Sequence, residues 1–262
     1  MKTIVMTGAS SGIGAVTKRK LEAEGNKVIN IDLRDGDISV NLATPEGRKA
    51  AVDFVFQRFP EGIDGLVCCA GVSGACGNFK LMVSLNFYGA VSMAEGLFPL
   101  LQKKKGYCVL ISSFSIAEGY AIKDIVKLIM EKNSEETVLG VLETMDSSDL
   151  GLGSAVYITA KYAVSLWIKR HAASWGARGV HINCIAPGTT NTPMVGDMDE
   201  VSKWALSALP VPIKYGESLM LEPDEVADVI LFLLSPQSRG IHGTMIFVDG
   251  GTEAVINTEH VY

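Results

Sequence analysis

Short apolar segments alternate with longer segments of helical periodicity from the first residues of the chain to about residue 250. The short segments predict strands at residues 2–6, 28–32, 37–41, 65–69, 107–112, 180–185 and 244–248. The longer segments predict helices at residues 12–25, 46–58, 80–103, 156–176 and 223–234. This alternation is typical of βαβ units, and strands that are apolar throughout are expected where helices cover both faces of a sheet. The pattern predicts one doubly wound α/β domain over residues 1–262, with a mostly parallel, seven-stranded sheet.

Two regions do not follow this alternation. Residues 114–155 form an insertion with apolar residues at helical spacing, which predicts that one face of it is buried. Residues 189–222 carry few strand signals and form a candidate substrate loop. Its apolar side chains suit a flat hydrophobic ligand, or they pack a helical lid onto the core; they are Met194, Met198, Trp204, Leu206, Leu209 and Val211. Met194 and Met198 are the candidate substrate contacts.

Composition narrows the class of protein. The net charge is −6 and the basic residues are scattered, which argues against nucleic acid and against an anionic membrane surface as partners. The apolar run at the N-terminus is too short for a secretory signal, and no uninterrupted apolar stretch approaches the roughly 18 residues of a membrane span. The five cysteines lack C-x-x-C spacing, so reduced thiols are favoured over disulfides or a metal site. We therefore expect a cytoplasmic protein without a bound metal.

A glycine-rich turn, Thr7 to Gly14, follows the first predicted strand and opens the first helix. Gly8 allows the tight turn, Gly12 lets the backbone approach a pyrophosphate, and Gly14 lets the helix pack against the strand. The phosphates would meet the helix N-terminus, where free N–H groups favour negative charge. Ser11 and Ile13 lie in the same turn, so the segment predicts a dinucleotide-binding site of Rossmann type that includes both.

The second predicted strand ends in Asp32, 18 residues after Gly14. A carboxylate here can accept hydrogen bonds from the adenosine ribose hydroxyls, and it would repel a 2′-phosphate. The glycine turn has no lysine or arginine between Gly8 and Gly12. Both features favour NAD over NADP, with Leu33 as a further contact, whereas Arg34 is the residue that would favour NADP.

A tyrosine and a lysine, Tyr157 and Lys161, are spaced to share one face of a predicted helix. A tyrosine of ordinary pKa, near 10, is a poor base at neutral pH, and a nearby cation is expected to lower that pKa. The pair is a candidate proton donor and acceptor for an alcohol. Alone, the spacing is weak evidence, because it occurs in many helices that only face solvent.

The order of the motifs along the chain supports the interpretation of this tyrosine–lysine pair as a proton donor and acceptor. The glycine turn is followed by Ala70-Gly71 after strand four, Ser113 after strand five, the tyrosine–lysine pair, and Pro187-Gly188 after strand six. Carboxyl ends of strands are where open α/β sheets bind ligands. Over essentially its whole length the chain resembles the short-chain dehydrogenase/reductase family.

The resemblance implies a role for each matching residue. Ser113 would orient the substrate oxygen and Tyr157 would exchange its proton. Lys161 would bind the nicotinamide ribose and tune Tyr157, and Asn86 would hold a water in a relay towards Lys161. Ser112 is less favoured than Ser113 for orienting the substrate oxygen, because Ser113 stands at the family's position. The further cofactor contacts implied are Asn41, Leu42, Ala70, Gly71, Pro187, Gly188, Thr190 and Thr192.

The chain also departs from the family pattern. Cys68-Cys69 stands where the family commonly has two asparagines, so whatever the asparagine side chain stabilises must be replaced or absent. Asn41 stands where an aspartate commonly meets the adenine, and its amide can still bond the base. Ser113 and Tyr157 are 44 positions apart, about 30 more than in ordinary members.

This insertion and several short segments resemble the bacterial 3α-hydroxysteroid dehydrogenase/carbonyl reductase branch of the family. The resemblance implies reversible, NAD-linked oxidation of a hydroxyl at C3 of a steroid or bile acid. A general carbonyl or 3-oxoacyl reductase is the alternative within the family, and a non-catalytic NAD-binding sensor is the alternative outside enzymes. The insertion has three interpretations: added core packing, a lid beside the substrate, or an oligomer contact. We favour a contact in a homodimer or homotetramer.

Overall fold

The computed structural model describes residues 1–131, 134–196, 200, 203, 208–213 and 220–260. Its strands are β1 (Thr3–Thr7), β2 (Lys27–Asp32), β3 (Ile38–Ser39), β4 (Gly65–Cys68), β5 (Tyr107–Ile111), β6 (His181–Pro187) and β7 (Met245–Val248). Its helices are α1 (Gly12–Ala23), α2 (Pro45–Arg58), α3 (Phe79–Val83), α4 (Ala90–Lys104), α5 (Lys123–Met130), α6 (Glu135–Glu143), α7 (Leu150–Gly176), α8 (Pro193–Gly196), α9 (Pro223–Leu233) and α10 (Thr252–Ile256). Single turns of 3₁₀ helix occupy Gly74–Cys76, Phe114–Glu118 and Pro236–Ser238.

The sheet formed by the described residues has seven strands in the order β3-β2-β1-β4-β5-β6-β7. Every neighbouring pair is parallel. Apolar cores lie on both faces, one containing Leu66 and Leu110 and the other containing Ile4 and Val67. The predicted doubly wound sheet is therefore confirmed. The strand order reverses between β1 and β4, and ligands bind at such a point in open α/β sheets.

Two predicted helices differ from the structure. The helix expected at 80–103 is interrupted by a π-helical segment, Ser84–Gly89, which separates α3 from α4. The helix expected from residue 156 begins at Leu150, because the Asp149 side chain caps it by accepting a hydrogen bond from the Leu152 N–H. Gly153 weakens the helical pattern in the sequence. In the fold, its missing side chain leaves room for the backbone of Gly74.

The insertion between β5 and the long helix α7 buries its apolar face within the chain. Ile125 and Ile129 of α5, with Val138 and Leu142 of α6, belong to the core cluster that also contains residues of α7. This packing favours the first interpretation of the insertion, added core. The apolar stripe that suggested an oligomer contact is covered by the chain itself.

A buried ion pair ties the insertion to helix α2. Arg48 of α2 is 5% exposed, and its Nη2 lies 2.5 Å from the Glu135 carboxylate at the start of α6. The guanidinium also lies 5.9 Å from the centroid of the Tyr88 ring. Burial raises the pKa of the Tyr88 hydroxyl to about 12, and the Glu135 charge adds to this shift. The insertion is therefore attached to the main domain through charge as well as through apolar packing.

One segment, Phe79–Lys104, has the length and mean hydropathy of a membrane span. It contains polar residues such as Asn86 and Glu95, and 61% of its apolar window is buried inside the protein. Its apolar side chains contact the sheet and the long helix α7. The hydropathy of this segment is that of a core helix.

Candidate active site

The glycine turn between β1 and α1 forms the first wall of the site. Gly8 has a φ of +70°, and a Cβ there would lie 2.6 Å from the backbone nitrogen of Ala70 on the neighbouring strand end. A Cβ on Gly14 would collide with the carbonyl oxygen of Gly8. Ser11, the N-cap residue of α1, makes no side-chain cap hydrogen bond, so N–H groups of the first turn remain available to an anion. Both glycines are thus required by close backbone contacts.

Asp32 lies at the end of β2 beside this turn. One carboxylate oxygen accepts a hydrogen bond from the Ser10 N–H at 3.1 Å, and the other accepts from the Leu33 N–H at 2.7 Å. These bonds hold the carboxylate at the rim of the groove where a ribose would lie. The structure fits the role predicted for Asp32.

The sequence analysis missed the residue that supports the glycine turn, Asn30. Its side chain is buried, accepts a hydrogen bond from the Ala9 N–H at 3.1 Å and donates to the Ser10 hydroxyl at 2.9 Å. Buried polar groups are generally hydrogen-bonded. The signal was a single polar residue within the otherwise apolar run Val28 to Ile31.

Serine, tyrosine and lysine side chains converge at the carboxyl end of β5. Ser113 follows β5, and Tyr157 and Lys161 are one turn apart on α7. Ser113 and Tyr157 line the same cavity, and the Ser113 hydroxyl is close enough to Tyr157 to influence its pKa. Ser112 instead hydrogen-bonds Ser165 at 2.8 Å and the Lys161 carbonyl at 3.1 Å. The geometry favours Ser113 over Ser112 as the serine next to the tyrosine.

Burial determines the titration of this group. It raises the pKa of Tyr157, and the hydrogen bond from Ser113 opposes part of that shift. It also lowers the pKa of Lys161 to about 8. The net shift of the tyrosine pKa is opposite to the lowering expected from Lys161, because loss of water penalises the phenolate. The Lys161 ammonium lies 5.8 Å from the centroid of the tyrosine ring, and it donates to the Ile111 carbonyl at 3.1 Å.

Asn86 lies in the π-helical segment and is buried. Its side chain accepts from the Val72 N–H and donates to the Val72 carbonyl, both at 2.9 Å. A Cβ on Gly71 would lie 2.8 Å from the Asn86 side-chain oxygen and 3.6 Å from the Lys161 nitrogen. The side chain therefore holds the loop after β4 and is not a wall of the cavity. Thr7 shares this role, because its hydroxyl accepts a hydrogen bond from the Ala70 N–H at 3.2 Å. The loop that the two side chains stabilise begins at Cys68-Cys69, which replaces the two asparagines common in the family.

The segment after β6 forms the wall opposite the glycine turn. The Gly188 N–H donates to the Val248 carbonyl at 2.8 Å, and the Thr190 hydroxyl donates to the Gly188 carbonyl at 2.9 Å. Thr192 then approaches the glycine turn, because a Cβ on Gly12 would lie 3.3 Å from its methyl group. The groove is thereby closed from both sides.

These walls enclose a cavity of about 900 Å³. All residues predicted from the sequence as cofactor contacts line it: Gly8, Ser11, Gly12, Ile13, Gly14, Asp32, Leu33, Asn41, Leu42, Ala70, Gly71, Tyr157, Lys161, Pro187, Gly188, Thr190 and Thr192. Ser113 and Met194 line it too, whereas Met198 lies outside the described residues. The site residues missed by the sequence analysis include Val72, Phe114, Glu118, Leu150, Gly151 and Ser154. Glu118 and Leu150 lie near the two ends of the insertion. The apolar periodicity of the insertion predicted a buried face, but it did not show which residues reach the site.

A groove that fits a dinucleotide and ends at a tyrosine–lysine pair, with the lysine buried and the tyrosine half-buried, defines a class, the oxidoreductases that act on hydroxyl and carbonyl groups. Comparison with known proteins agrees. The family model described as enoyl-(acyl carrier protein) reductase matches residues 120–253. The 3-alpha-hydroxysteroid dehydrogenase/carbonyl reductase of Comamonas testosteroni is 36% identical over 98% of both chains. Coniferyl-alcohol dehydrogenase of a Pseudomonas species is 33% identical over 95% of this chain and 96% of its own.

A solved structure shows the same arrangement of elements. The crystal structure of the 3-alpha-hydroxysteroid dehydrogenase from Pseudomonas sp. B-0831, complexed with NADH, superposes with a TM-score of 0.90 at 34% identity. It covers 99% of this chain and 100% of its own. The chain belongs to the short-chain dehydrogenase/reductase family, and the resemblance noted in the sequence is confirmed.

Proposed function

We propose that this protein is an NAD-dependent dehydrogenase and reductase that interconverts a secondary hydroxyl and a ketone at C3 of a steroid or bile acid. The observation that carries the proposal is the meeting of Ser113, Tyr157 and Lys161 at the inner end of the dinucleotide groove. Similarity to two 3-alpha-hydroxysteroid dehydrogenases, over nearly the whole of each chain, supports the substrate class.

The residues of the groove fit NAD. The close backbone contacts at Gly8 and Gly14 fix the shape of the turn before the helix N-terminus, where a pyrophosphate would bind. Asp32 is held where it would repel a 2′-phosphate. When bound, the nicotinamide supplies the hydride acceptor or donor. Lys161 would hold its ribose, and Pro187 to Thr192 would hold the nicotinamide end.

The reacting oxygen of the substrate would lie between Ser113 and Tyr157. The Ser113 hydroxyl orients this oxygen by a hydrogen bond. During reduction, the Tyr157 phenol donates its proton to the oxygen; during oxidation, the deprotonated form of Tyr157 takes the proton from the alcohol. The raised pKa of Tyr157 keeps the phenol protonated at neutral pH, which favours its service as the acid. The charge of Lys161 favours the phenolate that forms as the proton leaves.

Outside the predicted cofactor contacts, much of the cavity lining is apolar. The apolar residues include Val72, Phe114, Leu150, Met194 and Leu209. A rigid hydrophobic ligand buries its surface against such side chains without loss of its own conformational freedom. This lining supports a steroid over a small polar alcohol. The insertion supplies part of it, which supports the second interpretation, a lid beside the substrate, for the residues near Glu118 and Leu150.

The test is a substrate panel with two variants. Wild type, Tyr157→Phe and Tyr162→Phe receive NAD with a 3α-hydroxysteroid, its 3β epimer and a simple secondary alcohol, and NADH absorbance is followed. Tyr162 is an exposed tyrosine on the same helix and serves as the control. We expect turnover of the 3α compound, retained in Tyr162→Phe and reduced at least about 100-fold in Tyr157→Phe, as for loss of a general acid.

The other outcomes separate the alternatives. Activity confined to the simple alcohol would support a general carbonyl reductase. NADH oxidation with an added 3-oxoacyl thioester would support a 3-oxoacyl reductase, the activity named for a Thermotoga maritima relative at 26% identity. NAD binding without turnover of any alcohol would overturn the proposal and leave the sensor.

We also place the enzyme in the cytoplasm. All five cysteines are free thiols, and Cys68, Cys108 and Cys184 are buried. Burial raises the pKa of Cys184 to about 12, so that thiol stays protonated and unreactive. Free thiols are typical of a reducing compartment. Cell fractionation with an antibody against the chain tests this location.

A further inference from the structure

One acidic side chain, Glu118, lies on the wall of the cavity away from the dinucleotide groove. It ends the 3₁₀ helix Phe114–Glu118, which starts directly after Ser113. A 3₁₀ helix rises about 2 Å per residue, so the backbone of Glu118 is on the order of 10 Å from that of Ser113. The charged residues among the described lining are Asp32, Lys161 and Glu118. The first two belong to the cofactor part, which leaves Glu118 as the charge at the substrate end.

The Glu118 carboxylate is half-buried and has no hydrogen bond or ion pair with the part of the chain that the structure describes. Its backbone is nevertheless fixed, because the preceding carbonyl, that of Ala117, accepts a hydrogen bond from the Asn257 side chain at 3.0 Å. Loss of water raises the pKa of this carboxyl. Within the described part of the chain, this anchored acid has no partner of its own, so it can accept a hydrogen bond from a polar group that enters the cleft.

We propose that Glu118 determines substrate specificity by accepting a hydrogen bond from a second polar group of the substrate, remote from the reacting oxygen. The preferred substrate is then a neutral hydrophobic alcohol or ketone with a distant hydroxyl group. A substrate that places a carboxylate near Glu118 is disfavoured, since two like charges in a cleft of low polarity repel strongly. This inference rests on the proposed function and narrows it from steroids and bile acids to neutral hydroxysteroids.

The test compares matched substrates in three proteins. The substrates are a neutral 3α-hydroxysteroid with a hydroxyl at the far end of the ring system, the same compound without that hydroxyl, and a 3α-hydroxysteroid with a carboxylate tail. A parallel aliphatic series pairs a secondary alcohol bearing a distant hydroxyl with one bearing a distant carboxylate. The proteins are wild type, Glu118→Gln and Glu253→Gln. Glu253 is a half-buried acid on α10, the helix that packs on the same 3₁₀ helix, and it is outside the cavity lining.

We expect wild type to prefer the neutral diol over the anionic substrate in kcat/KM. In Glu118→Gln this preference falls roughly 10- to 100-fold, as for loss of a hydrogen bond to a charged group and of a like-charge repulsion. The change appears in KM with kcat nearly constant, because the contact is equal in ground and transition states. Glu253→Gln keeps the wild-type preference.

The outcomes separate this inference from the proposed function. An unchanged preference in Glu118→Gln, in whichever series wild type turns over, overturns the role of Glu118, and turnover of the steroid series leaves the proposed function intact. An equal change in Glu253→Gln also overturns it, because the effect would then come from the fold around the 3₁₀ helix. Absence of turnover in both series overturns the proposed function and this inference together.

Discussion

Asp32 shows how backbone donors can fix the position of a single charge. Its two oxygens are held by the Ser10 and Leu33 N–H groups, and the buried Asn30 holds Ser10 in turn. Arg34, two residues on, supplies a cation that could pair with a 2′-phosphate. The choice of cofactor therefore depends on the charge of Asp32 outweighing that of Arg34 at the ribose.

The first prediction concerns this residue. In Asp32→Asn the repulsion of a 2′-phosphate is lost and one hydrogen-bond acceptor remains, so we expect the kcat/KM preference for NAD over NADP to fall at least about 10-fold. The measurement is kcat/KM with each cofactor at fixed substrate. Asp35→Asn is the control, since Asp35 is exposed and outside the cavity lining. A preference unchanged in Asp32→Asn would contradict the role given to its charge.

At the scale of elements, the contact between α2 and the insertion contains a buried ion pair, Arg48 with Glu135. Arg48 is almost fully buried, and its Nη1 makes no hydrogen bond within the described part of the chain. The Tyr88 hydroxyl is likewise buried without such a bond there. A buried cation with one partner depends strongly on that partner, because the alternative is an isolated charge in a medium of low polarity.

This arrangement predicts a large loss of stability when the partner is neutralised. Glu135→Gln should lower the free energy of unfolding by about 3 kcal/mol or more, as for a buried pair that loses one member. The double variant Arg48→Met with Glu135→Leu should recover most of that loss, since apolar residues fill the space without a charge. Urea denaturation measures both, with Glu136→Gln, an exposed neighbour, as control. Equal stability of Glu135→Gln and wild type would show that the pair contributes little.

At the scale of the whole molecule, association of chains stays a prediction. The insertion packs its apolar stripe inward, so its outward apolar surface is small and includes Val141, which is 38% exposed, and Tyr120, which is 68% exposed. A contact between chains through the insertion would use these side chains. They are apolar enough to contribute to an interface but too few to form one alone.

The corresponding measurement is sedimentation velocity at micromolar concentration. We expect a dimer or tetramer, and we expect Val141→Lys to shift it towards the monomer, because a charge in the centre of a contact must lose its water. A monomeric profile for wild type would remove the prediction. An oligomer unaffected by Val141→Lys would place the contact on another face.

Local chemistry determined most of the fold and the cofactor side of the site. The short apolar segments specified the strands, because a strand buried on both faces must be apolar throughout. Gly8 and Gly14 of the turn are required by backbone contacts close to β1 and β4. The order of motifs located Ser113, Tyr157 and Lys161, since carboxyl ends of parallel strands meet at one edge. Asn30 was readable only as a polar residue in an apolar run, whereas Asn86 was named through the family resemblance.

The tertiary structure decided what depends on neighbours distant in the chain. Burial reversed the expected shift of the Tyr157 pKa, because desolvation is set by all the surrounding elements and not by the spacing to Lys161. Glycine has a low helix propensity, yet Gly153 lies within α7. Its position there is explained by the backbone of Gly74, which packs too closely for a side chain. The inward face of the insertion and the position of Glu118 on the cavity wall likewise follow from packing between segments far apart in sequence. Periodicity shows that a face is buried, and only the assembled fold shows which residues it contacts.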